Sequence, residues 1–324
     1  MIQLQTPKIE IYRTRTFSDK LTDTFNFLRE NWRPLLKYFI YIMLPVSIVM
    51  AFFVNHFWNG YISLIMMLEN IGSGLDFGTL SFALSTIGVI IVSLIAYAIL
   101  AGLTFCLIRL YDKRPQRLKD LTFDEMKPEL MYCMKRSAVL IVVSVLLVIA
   151  AVIVLLIPVG LAFWINGVLG FLSIVLLYII LIVLVIPLTL VTPIYLMEDQ
   201  IGVIPAFAKA FRLGFATWGG IFAVMFIVGI ITSVLQTFTM MPWYILSMIK
   251  MALSISDNLE GSFFNTFFFT FLQYLTCILQ CLGYLLAELM TLVALTIQYG
   301  HACDKIDGVG VAQKIVHFEE FDNF

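Results

Sequence analysis

Charge is what this sequence has least of. Asp, Glu, Lys and Arg make up only 13% of its 324 residues, and none occurs between Arg136 and Glu198. Soluble chains carry about 25% charged residues, so the scarcity excludes an ordinary water-exposed domain. Histidine is nearly missing too: His56, His301 and His317 are the whole set. No H-E-x-x-H, P-loop or dinucleotide-binding glycine pattern is present. A chain without catalytic residues, without a cofactor and without a nucleic-acid partner is expected. The opening "MIQLQTPKIEIYRTRTFSDK" lacks the short apolar core and small-residue cleavage site of a signal peptide, so the first span is expected to direct insertion. The five cysteines (Cys106, Cys133, Cys277, Cys281, Cys303) fall in expected helices or on the inner side, and no disulfide is expected.

What is there instead is apolar: 61% of the residues. A run of about 18 or more uncharged apolar residues is long enough to cross the hydrocarbon core as a helix. Six such runs are legible, at 38–58, 81–108, 138–160, 168–197, 217–241 and 263–300. Pro158, Gly160, Asn166, Gly167 and Gly170 divide the longest block in two. The fold class is therefore an all-α polytopic transmembrane helix bundle of six spans. Residues 1–37 form an N-terminal segment, 38–300 the six-span domain and 301–324 a tail.

Nineteen of the twenty Lys and Arg residues fall on one side of this arrangement, and Lys250 alone on the other. Basic residues concentrate in cytoplasmic loops, so both termini are expected in the cytoplasm.

The chain also repeats itself. "FSDKLTDTFNFLRENW" (17–32) matches "VIPAFAKAFRLGFATW" (203–218) at a constant offset, Trp32 falling on Trp218. Leu21, Phe25, Leu28 and Trp32, like Phe207, Phe211, Phe215 and Trp218, form one helical face. A third copy, "TFDEMKPELMYCMKR" (122–136), starts with a capping-box spacing from Thr122 to Glu125. Amphipathic interfacial helices are thus expected before spans 1, 3 and 5, with the apolar face in the headgroup region. The bland alternative makes them the ends of bent spans. "YISLIMMLENIGSG" (61–74) and "YILSMIKMALSISD" (244–257) are expected as short helices or lids at the outer interface.

Three stretches carry a resemblance: "FNFLRENWRPLL", "PIYLMEDQIGVIPAFAKAFRLGFATWGG" and "TIQYGHACDKIDGVGVAQKI". They resemble the six-helix membrane domain attached to some bacterial glycerophosphodiester phosphodiesterases, together with its stand-alone relatives. The middle stretch is the most specific, with its acid-glycine step from Glu198 to Gly202. The resemblance implies architecture and a bacterial inner membrane. It implies no activity, because no polar segment here is long enough to hold the soluble barrel.

Two polar features remain. His301, Cys303 and Asp304 are metal-ligand types, but three within four residues cannot all face one ion from a regular helix, and no second cluster completes them. No metal site is expected. The acidic, aromatic end of the tail (Glu319, Glu320, Asp322 with Phe318, Phe321, Phe324) is a docking peptide or a solvated terminus.

The last span is the more informative. Gln273, Cys277, Gln280, Tyr284, Glu288, Thr291 and Gln298 share one helical face. Glu288 has no other charged residue within fifteen positions. It lies about 20 Å from the inner end near His301, at 1.5 Å per residue. Polar groups are costly in hydrocarbon, so this face should turn toward the bundle or a hydrated cavity. Three roles are open to Glu288: a protonated packing residue, a cation or proton site, or a contact to a lipid or partner headgroup.

Transport or lipid handling is the leading functional expectation. The second is a non-catalytic partner or assembly factor that docks through the interfacial helices or the tail. A membrane-embedded enzyme comes third. Membrane lipids are the expected partners in every case. The 19-to-1 charge split predicts that a membrane-impermeant thiol reagent applied to intact cells labels cysteines engineered near Gly72 and Ser256. It should miss those near Asp120 and Lys305. Labelling at Asp120 would overturn the six-span topology.

Overall fold

The computed structural model describes residues 8–69, 77–255, 266–310 and 312, and these are helical without a strand. The elements are α1 (Phe17–Glu30), α2 (Trp32–Glu69), α3 (Phe77–Lys113), α4 (Phe123–Ile165), α5 (Gly167–Leu188), α6 (Val191–Met197), α7 (Val203–Ala216), α8 (Trp218–Ile255) and α9 (Phe267–Asp307). Six stretches are long and apolar enough to cross a membrane: Trp32–Ile65, Leu80–Lys113, Phe123–Ile165, Gly167–Met197, Trp218–Ala252 and Phe267–Asp307. The chain is a multi-pass, all-α membrane protein.

The helices run past the apolar windows that reveal them. Hydropathy marks where a helix is greasy, and backbone hydrogen bonding continues until something stops it. Pro158 and Gly160 do not end α4. Asn166 does, by turning its Oδ1 onto the Val168 amide at 2.8 Å to cap α5. The expected fourth span breaks near Thr189, leaving α6 as a separate short helix.

The repeat is present in the backbone. Val203 follows Phe17 by 186 positions, and Ala216 and Trp218 follow Glu30 and Trp32 by the same number. The caps repeat as well. Asn31 Nδ2 donates to the Phe27 carbonyl at 2.9 Å, and Thr217 Oγ1 donates to the Leu213 carbonyl at 2.9 Å. The buried face of α1 is Lys20, Thr24 and Phe27, and at the same register α7 buries Ala206, Ala210 and Leu213.

The third copy differs. No separate helix precedes the third span, because 122–136 continues into α4 without a break. Lys135, Arg136 and Ala138 are good helix formers, and no Gly, Pro or Asn interrupts them. Thr122 accepts the Glu125 amide at 3.4 Å. The reciprocal capping box is found at Thr16 and Asp19 instead, where each side chain takes the other's amide. The expected outer helices also merge with their neighbours. Residues 61–69 extend α2 and 244–255 extend α8, and the rest of 61–74 and 244–257 lies outside the described residues.

The chain divides into two compact units. One holds residues up to Trp32 with 101–228 and the chain from 291 on, and the other holds 33–100 with 229–290. In the first unit, α7 meets α5 closely. A Cβ added at Gly214 would lie 2.6 Å from Pro187 Cα and 2.6 Å from its Cβ. Overpacking against backbone costs about 1–3 kcal/mol. Gly214→Ala should therefore lower the melting temperature in detergent, whereas Gly229→Ala, with nothing within 4 Å of the new methyl, should leave it unchanged. Equal melting temperatures for both variants would contradict this packing.

Candidate functional site

In the second unit, α9 carries five residues of the expected polar face, and they have different surroundings. Gln273 is buried, its Nε2 3.4 Å from the Ser247 hydroxyl. Cys277 is buried with its thiol 3.7 Å from the Ala51 carbonyl. Tyr274, one position off that face, donates to the Ile48 carbonyl at 2.6 Å. Gln280 is half-buried, and its Oε1 is buried with no hydrogen-bond partner. Tyr284 is 44% exposed, so the face does not turn wholly inward. Glu288 is half-buried one turn beyond Tyr284, with no hydrogen bond or ion pair among the described residues. Nearby in the same unit, Trp243 Nε1 donates to Asn55 Oδ1 at 3.0 Å.

In the first unit, the far end of α9 is dense with polar contacts. The extended arm before α1 lies on it. Arg15 donates its amide to His301 Nδ1 at 2.9 Å, which requires an unprotonated Nδ1. Thr14 gives Asp304 Oδ2 both its amide (2.7 Å) and its hydroxyl (2.5 Å). The His301–Asp304 stretch therefore fastens the arm. Arg15 is itself buried, bound to Asp23 at 2.7 Å and to the carbonyls of Ile11 and Arg13.

The turn between α6 and α7 is held in the same unit. Arg136 donates to the carbonyls of Tyr195, Glu198, Asp199 and Ile201. Arg109 pairs with Glu129 and with Asp199 (2.7 Å), which holds the Asp199 carboxyl below its usual range. Glu198 Oε1 accepts from Tyr299 OH at 2.6 Å and from Lys209 at 2.7 Å, and Asp307 takes Lys209 and Arg212. The middle and last of the resemblance-bearing stretches thus meet through Glu198 and Tyr299.

One cluster is not satisfied in this way. Lys20 is only 5% exposed, and its ammonium makes no hydrogen bond or ion pair among the described residues. Gln298 is 0% exposed, and neither its Nε2 nor its Oε1 has a partner. Gly220, in the first turn of α8, stands between them: a Cβ there would lie 3.3 Å from Lys20 Nζ and 3.4 Å from Gln298 Nε2. Thr291, the remaining residue of the expected face, is half-buried on α9.

Sequence reasoning finds Gln298 by its place on the polar face and overlooks Lys20, which reads as one more topology-setting charge. The signal for Lys20 is present in the repeat. Its register matches Ala206, so a cation occupies a position that the second copy buries as alanine. Among the described residues no group of three or more His, Cys, Asp or Glu is arranged to hold a metal. No family model, curated protein or solved structure matches the chain.

Burial, with lesser repulsion from Lys305 and Arg15, pushes the Lys20 ammonium down from 10.5 to about 8. Below the folded value, both folded and unfolded chains carry the proton and the folded state bears the full burial cost. As pH rises from about 8 toward 10.5, the folded state sheds the proton first and the cost fades. Lys20→Met should thus melt higher than wild type at neutral pH. The gap should narrow by roughly pH 10 in phosphate-free buffer. A wild type that is no less stable than Lys20→Met at neutral pH would contradict the unpaired cation.

Proposed function

We propose that this chain is a bacterial inner-membrane protein of the transport or lipid-handling class, without catalytic chemistry of its own, in which Glu288 exchanges a proton or cation. The observation that carries the reading is a pair of polar groups on α9 without partners among the described residues: Gln280 Oε1 and the Glu288 carboxyl. Hydrocarbon offers no hydrogen bonds, and an unsatisfied polar group there costs several kcal/mol. A packing role would satisfy these groups within the fold. Groups kept unsatisfied suit water, an ion or a polar ligand, and intramembrane acids mark ion and substrate paths.

In this reading both termini are cytoplasmic, following the basic residues. α1 and α7 lie at the inner interface. Leu21, Phe25 and Leu28 of α1 and Phe207 and Phe211 of α7 are half-exposed apolar residues beside each buried face, as interfacial helices require.

The decisive comparison is Glu288→Gln against Glu288→Leu in cells that show a deletion phenotype. Gln keeps the shape and hydrogen bonding and cannot ionise. The expected result is normal expression of the Gln variant with loss of function in both. A fully functional Gln variant beside an unstable Leu variant would overturn the exchange role and leave Glu288 as a packing residue.

A further inference from the structure

We infer that Lys20, Gln298 and the first turn of α8 at Gly220 form a binding site for a phosphate-class anion, supplied as a lipid headgroup or as free phosphate. The site lies wholly within one compact unit. Among the described residues neither side chain has a partner: Lys20 is 5% exposed and Gln298 fully buried, and both lie beside one glycine. A buried ammonium beside a buried amide with nothing to bind costs free energy in the empty fold. The second repeat shows that the helix does not need the charge, since Ala206 fills the same register in α7.

The surroundings favour an anion. Asp23 is taken by Arg15, Glu198 by Lys209 and Tyr299, Asp304 by Thr14, and Asp307 by Lys209 and Arg212. The nearby acids are therefore engaged elsewhere, and Lys305 and Arg15 add positive potential. The amides of Trp218, Gly219 and Gly220, in the first turn of α8, make no backbone hydrogen bond among the described residues. Such a helix start binds anions through its free N–H groups and dipole. Leu21, next to Lys20, packs on Val224, Val228 and Ala294.

The donors also choose the anion. A point-charge ammonium, an amide NH2 and several backbone N–H groups suit a tetrahedral oxyanion with many acceptors, whereas a planar carboxylate is matched by an Arg fork. Gln298 Oε1 is an acceptor and needs a donor. A P–OH group of a phosphomonoester, or a headgroup hydroxyl, supplies one.

The test uses the full chain in a neutral, phosphate-free detergent. Melting is followed on titration with inorganic phosphate, with acetate, and with chloride at matched ionic strength. Native mass spectrometry then compares retention of phosphatidic acid with that of diacylglycerol, which lacks the phosphate. The expected result is saturable stabilisation or retention by a phosphate-bearing probe and none by acetate, chloride or diacylglycerol. A response to phosphatidic acid alone identifies the headgroup as the source, and a response to both probes admits free phosphate. Lys20→Met and Gly220→Leu should each weaken binding roughly tenfold or more, the worth of a charge-assisted contact. Gln298→Leu, which removes two stranded polar atoms and should not unfold the chain, should weaken it as well. No saturable response to either phosphate probe would overturn the site, as would an equal response to acetate, or wild-type binding by both Lys20→Met and Gln298→Leu. Glu288→Gln should bind phosphate normally, so the two proposals fail separately.

Discussion

Hydrocarbon gives a polar group nothing to bond with, and the placement of every hydroxyl, amide and charge along these helices follows from that. The hydroxyls solve it locally. Ser85 and Thr86 donate back to Phe82, Thr232 to Gly229, Thr237 to Ser233, and Thr296 to Leu292, each within its own helix. A hydroxyl three or four residues from a carbonyl can do this, although the buried Ser47 hydroxyl makes no such bond among the described residues. Glutamine and glutamate are too long to fold back so cheaply, and they need a partner from elsewhere. Gln273 has Ser247. Gln280, Glu288 and Gln298 have been left wanting, and the same constraint that makes them expensive makes them informative.

The repeat provides an internal control that a single copy could not. α1 and α7 share their length, their cap geometry and the register of their buried face, so what they share is what the fold requires. Thr24 and Ala210, or Phe27 and Leu213, are exchanges between residues that pack. Lys20 and Ala206 are not, since one is a cation and the other a methyl group. A difference at a buried, otherwise equivalent position points away from packing. The third copy, drawn into α4, has no such helix to compare.

The six spans and the repeat could be read from the sequence because both depend on local pattern. Hydropathy over about 20 residues decides whether a helix crosses a bilayer, and a constant offset survives any fold. The ends of elements were harder. Asn166 stops α4 through a single side-chain bond to Val168, while Pro158 and Gly160, which look like stronger breaks, are passed over. The contacts of His301 and Asp304 could not be read, because Arg15 and Thr14 lie nearly the whole chain away from them. On the site, periodicity puts Gln298 and Tyr284 on one face, and in the fold the first is buried and the second exposed. A helical wheel states which residues share a side and says nothing of what that side meets.

The basic residues show why composition alone misleads here. Their one-sided distribution reads as a topology signal, and a signal need only be present. In the fold several of them also bind something specific: Arg15 holds Asp23, Arg109 holds Glu129 and Asp199, Arg136 gathers four carbonyls, and Lys209 joins Glu198 to Asp307. Orientation would be served equally well by charges left in water. Burying them is costly unless each finds a partner, and these do. Lys20 bears that cost with no partner among the described residues, next to an amide in the same condition. Two unsatisfied groups that could have been alanine and leucine thus stand 3.3 and 3.4 Å from one hypothetical methyl position at Gly220, a juxtaposition that packing alone does not call for.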